Sequence, residues 1–177
     1  MKRLICLALV LFCTAGAFAQ KSKIPMVIDI AEVEVDNQEA ISVFNMPKDG
    51  ENHYYLCVGT LGFGDHVVQL LFDPVFRLFL PLGDTLEEST ASLQELKDLF
   101  RQPKGTCLEK QASFAFGFPN DKLETVKITH YKGLLGAHLE FSLEREGYIR
   151  ATHLTKGQIS SLLSSIKFYR KLHKKEK

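Results

Sequence analysis

Between Leu135 and Leu143 every second residue is apolar: Leu135, Ala137, Leu139, Phe141 and Leu143. A strand points successive side chains to opposite faces, so this pattern fits a strand with one dry face and one wet face. It does not fit a helix, whose apolar stripe recurs at three and four residues. The same alternation runs through Ile24, Met26, Ile28 and Ile30, then changes parity to Val33 and Val35, which predicts a bulge near Ala31. Strand-like runs follow at 40–45, 53–61, 66–72 and 75–81, parted by turn residues such as Pro47-Lys48-Asp49-Gly50 and Asp73-Pro74. In the second half Leu108, Ala112, Phe114, Phe116 and Phe118 share one parity as far as Pro119-Asn120-Asp121. Val126, Ile128 and His130 form the next run, and Tyr148 to His153 returns after the turn Glu144-Arg145-Glu146-Gly147.

Two stretches break the alternation. Ser92-x-x-Glu95 reads as a capping box opening a helix with Leu93, Leu96, Leu99 and Phe100 on one face, stopped by Pro103 and Gly105. Thr155-x-x-Gln158 is a second box, and it opens a helix over 156–168 whose stripe is Ile159, Leu162, Leu163 and Ile166. Strands followed by a helix, twice, without regular strand–helix alternation, predict an α+β fold. The expectation is antiparallel sheet of about eight to nine strands with two amphipathic helices. Residues 66–101 and 135–170 echo each other as hairpin, short connection and capped helix. No linker-like stretch separates them, so 20–177 reads as one domain with two similar lobes, 20–103 and 104–177.

The first nineteen residues read as a signal peptide. Lys2 and Arg3 precede an apolar run from Leu4 to Phe12, and Ala17-Phe18-Ala19 offers small residues for cleavage before Gln20. The run is well short of the roughly 20 apolar residues that cross a bilayer. Cys13 as a lipidated residue is rejected because bulky Phe12 precedes it. Export to the periplasm or the cell exterior is the resulting expectation. The absence of any Asn-x-Ser/Thr sequon leans towards a bacterial envelope.

Cleavage would remove Cys6 and Cys13, leaving Cys57 and Cys107 as candidates for one disulfide. The whole chain carries a net charge of +1, which gives no pull towards nucleic acid. Its distribution is uneven: residues 20–100 sum to −9 and residues 101–177 to +8. Such halves attract each other across a domain or steer a charged partner. The basic C-terminus, Lys167 to Lys177, has the composition for weak contact with an anionic surface.

Catalytic signatures are weak. Gly59-Thr60-Leu61-Gly62-Phe63-Gly64 has the dinucleotide glycines in reverse order and is followed by an apolar strand, so it reads as a hairpin turn. No Gly-x-Ser-x-Gly elbow occurs, and Ser160, Ser161, Ser164 and Ser165 fall on the polar side of a helix. Among the histidines, His130, His138 and His153 invite a metal reading. A bulged turn at Gly147 would pair Glu144 with Tyr148, Leu143 with Ile149, Phe141 with Ala151 and Leu139 with His153. That register sets His138 and His153 on opposite faces, so no metal site and no cofactor are expected. No catalytic residue is assigned.

Aromatic residues are the better signal. Tyr54, Tyr55 and Phe63, with His66, are the candidate ligand- or partner-binding residues if they face outward. The favoured function is a non-catalytic exported module that binds a partner protein or a small apolar ligand. A small secreted hydrolase is the competing class, and a structural component of the cell envelope the third. Titratable groups converging in one deep pocket would favour the enzyme; exposed rings on a shallow surface would favour binding.

Overall fold

The computed structural model describes residues 25–35, 38–63, 76–133, 136–145, 147–151 and 153–173, with backbone alone at 34, 35, 38–40, 60–63, 76, 144, 145 and 147–151. Among the described residues nine strands and two helices follow in the order β1 (Ile28–Val35), β2 (Gln38–Asn45), β3 (Tyr54–Phe63), β4 (Phe76–Gly83), α1 (Leu86–Leu99), β5 (Cys107–Phe116), β6 (Leu123–Gly133), β7 (Gly136–Arg145), β8 (Gly147–Ala151), β9 (Leu154–Thr155) and α2 (Lys156–His173). All strand pairs are antiparallel and belong to one sheet, so the chain is α+β with one strand-rich sheet and two helices. The expected signal peptide, the strand at 66–72 and His66 lie outside the described residues.

β3 has more neighbours than a strand usually holds. One side pairs with β4 along Tyr54–Gly59. The other side takes β2 at Tyr54–Cys57 and β8 at Thr60 and Phe63. The pairings therefore run β3–β4–β5–β6–β7–β8 and back to β3, a closed circuit from which β2 and β1 extend. The glycine segment is not the expected hairpin turn, because β3 continues through Gly59 and Gly62. Its register shifts between Thr60 and Phe63, where the strand changes partner. Glycine in a strand interior marks such a bend, where a Cβ would crowd the approaching backbone. The bulge read at Ala31 is present: the β1–β2 register shifts between Asp29 and Ala31.

The inner face and the helices make one core. Leu56, Val58, Leu78, Leu80, Ile128, Leu139 and Phe141 meet Leu93 and Leu96 of α1 and Ile159, Leu162 and Ile166 of α2. Each fully buried aliphatic side chain stabilises the fold by about 1.5–3 kcal/mol relative to exposure. α2 packs on β1, α1 and β9, so its stripe covers those elements more than the alternating face of 135–143.

α1 starts before the expected box at Ser92. Thr85 is the N-cap: its side chain accepts from the Glu88 amide, and the Glu88 carboxylate accepts from the Thr85 amide. Thr85-x-x-Glu88 thus precedes Ser92-x-x-Glu95 by two turns, and both satisfy the same pattern. The earlier one wins because Leu82 and Gly83 end β4 just before it, leaving the chain no longer connection. Ser92 instead donates to the Leu82 carbonyl. At α2 the expected box holds, with the Thr155 amide donating to Gln158 and the Gln158 amide to Thr155. The acidic first half and basic second half meet in the pairs Arg170–Glu87 and Lys110–Glu95. Among the described residues no helix is long and apolar enough to cross a membrane.

Candidate partner-binding face

β7 meets β8 in the register the bulged turn requires, with Leu143 opposite Ile149 and Glu144 opposite Tyr148. The register does not continue. β9 pairs Leu139 with Leu154 and His138 with Thr155, one residue out of step with β8. A one-residue slip reverses the faces of every following side chain. His153 therefore does not join the inner face, and the expectation that His138 and His153 lie on opposite faces is wrong. Their rings meet edge to face with centroids 4.2 Å apart.

Around this pair a small group has assembled. Tyr131 is the direct cross-strand partner of His138, and the two rings stack 5.8 Å apart. Glu140, two residues along β7 on the same side, is buried and brings Oε2 to 3.5 Å from His153 Nε2. Burial first, then the neighbouring His153, push the His138 imidazole below its ordinary range. His130 acts in the same direction, while Glu140 and a hydrogen bond with the Gly136 backbone oppose it. Tyr131 is 37% exposed and the His153 side chain 41%, so the row opens to solvent. Among the described residues no group of three or more His, Cys, Asp or Glu is arranged to hold a metal ion.

His130 lies elsewhere. It is buried on the inner face, with Nδ1 in hydrogen-bond contact with the Gln102 carbonyl and its ring tilted against Phe100. Neither it nor the serines of α2 joins the group; Ser160 and Ser164 donate to the carbonyls one turn back.

Tyr54 and Tyr55 do not form a surface together, because they are consecutive on β3 and point to opposite faces. Tyr54 is buried in the core, and burial pushes its hydroxyl pKa up. Tyr55 faces outward and stacks on Phe44, 5.7 Å away, beside Cys57, Phe79 and Ala115. Phe63 lies on β3 next to Ile149, but its side chain is not among those described. The expected disulfide is absent: Cys57 and Cys107 are not bridged. The register explains why. Cys57 lies opposite Phe79, and Phe79 opposite Ser113, six residues from Cys107 on β5. At ~3.3 Å per residue that offset alone is about 20 Å. A disulfide needs Cα atoms within roughly 7 Å.

One groove of about 560 Å³ lies between α1 and β5, with Leu99, Cys107 and Leu108 beside Gln94, Glu95 and Asp98. Its two carboxylates are engaged already, Glu95 by Lys110 and Asp98 by Arg101.

Sequence reasoning named His138 and His153 but set them apart. It missed Tyr131 and Glu140 altogether. Glu140 carried a usable signal, because it is a carboxylate in the middle of a strongly alternating strand, two residues from a histidine. No family model matches this chain, and neither a curated protein nor a solved structure matches it.

Proposed function

We propose that the protein is an exported, non-catalytic binding module that docks a partner protein on the outer face of β6, β7 and β9. One observation carries the reading: the rings of Tyr131, His138 and His153 form a continuous, solvent-facing row over a buried carboxylate. Aromatic rings with a polar edge give contact area at low entropic cost and still hydrogen-bond at their rims. Titratable groups, by contrast, do not gather in a deep pocket among the described residues. His130 is inside and the His138 group is on the open face. The Glu140–His153 pair resembles half of a hydrolytic dyad, yet Ser142, the next outward residue of β7, donates its hydroxyl to the Lys127 carbonyl. Export rests on the signal-like residues 1–19, and intact-mass analysis of exported protein is expected to show a chain beginning at Gln20.

A photo-crosslinking residue at position 131, compared with one at position 94 in the groove, tests the site. In the native cell a discrete adduct is expected from position 131 and none from 94. An adduct from 94 alone would move the site to the groove, and turnover of simple ester or glycoside substrates abolished by His153→Ala would replace binding with catalysis.

A further inference from the structure

We propose that the contact between His138 and His153 is an acid-sensitive latch that holds β9, and with it the start of α2, on β7. β9 is two residues long, and its only pairing among the described residues is with β7, through His138–Thr155 and Leu139–Leu154. Thr155, opposite His138, is also the capping residue of α2. His153 enters β9 directly from the preceding chain and packs its ring on His138. Among the described residues one carboxylate, Glu140, lies 3.5 Å from His153 and acts electrostatically on His138. A single imidazolium beside Glu140 is compensated; two imidazolium rings with centroids 4.2 Å apart are not.

The groups facing the pair are few among those described. β6 contributes Tyr131, with exposed Lys127 two rungs beyond Thr129; β7 contributes Glu140; exposed Lys156 follows Thr155; and His130 acts through the sheet from its inner side. Glu140 is the one negative charge among these groups.

The direction of the effect follows from linkage. His138 takes up its proton at lower pH when β9 is docked than when the ring is free in water. The docked state is therefore fully favoured above the ordinary imidazole range, and that advantage is lost as the pH falls from there through the docked value. Each pH unit by which docking suppresses protonation makes undocking about tenfold more frequent in acid. The acid-exposed surface would be the β7 edge beneath β9, with the first turn of α2 released. This device does not depend on whether the outer face binds a partner.

Amide hydrogen exchange on the whole protein, corrected for intrinsic rates, reads the latch locally. Between about pH 7.5 and pH 5.5, protection of residues 154–158 is expected to fall about tenfold, while Val126 and Ile128 in β6 keep theirs. His138→Gln removes the fall, and Glu140→Gln enlarges it. In parallel, the His138 ring resonance of the unaltered protein is expected to titrate below the ordinary imidazole range. A fall spread evenly over all strands would overturn the latch. So would an unchanged fall in His138→Gln, or a His138 ring that titrates at its ordinary value.

Discussion

The outward side of the sheet behaves differently at its two ends. Over β2, β3 and β4 it is dry: Phe44, Cys57 and Phe79 are buried, Phe44 meets Phe79 edge to face, and Tyr55 packs alongside. Over β6, β7 and β9 it is polar and open, with Thr129, Tyr131, His138 and His153 arranged round Glu140. Both patches are built from residues of the outward parity, so strand geometry alone does not separate them. The difference lies in what fills that parity. In Tyr54-Tyr55-Leu56-Cys57-Val58 and Leu78-Phe79-Leu80 both parities are apolar, the mark of a strand covered on two sides. In 135–143 only one parity is. An uninterrupted apolar run therefore reports a covered sheet, and clean alternation reports a face left for solvent or for a partner.

The sharpest challenge to this contrast is Phe79→Ala, which is expected to cost about 3–5 kcal/mol in a denaturant melt. A cost near that of an exposed site would mean the β2–β4 side is not dry. Leu162→Ala in α2 supplies the inner-face benchmark, at about 2–5 kcal/mol. If Phe79→Ala falls far below it, the two sides of the sheet are not equally sealed. Thr85→Ala should lower stability by about 1 kcal/mol through loss of the α1 cap. Tyr131→Ala should cost under about 1 kcal/mol in the same melt. A larger loss would make Tyr131 a packing residue. The smallest effect is chemical: of Cys57 and Cys107, a thiol reagent should label only Cys107 in the native protein, because Cys107 is exposed and Cys57 buried. After unfolding without reductant both should label.

The succession of strands along the chain and the inner face were legible because alternation and turn residues are local signals, whereas the order of the strands across the sheet was not. Leu139, Phe141 and Leu143 against Val126 and Ile128 follow from parity once the turns are placed. Ser92 misled because a capping box is a three-residue spacing, and Thr85 satisfied it too. The proposed binding face was less legible for a different reason. The Gly147 turn sets the register only while pairing continues unbroken, and the step between β8 and β9 carries His153 across the sheet. Nothing in the residues around 152 announces that step. The presence of Cys57 and Cys107 does not imply a bridge either, since sequence count says nothing of the offset along β5.

The closure of the strand circuit has a kinetic consequence. Thr60 and Ala151, which close it, are about ninety positions apart in the chain. Hairpins such as β6–β7 can form within their own span, but this seam must wait for both halves of the chain to be ordered. The entropy of joining so long a loop is lost before the contacts return it. Folding should accordingly be slow for a chain of this length, with the β3–β8 seam joining late. Synthesis runs from the N-terminus, so β3 emerges long before β8. Until then the second half of β3 is an open edge, the stage at which this protein is most exposed to pairing with a neighbour.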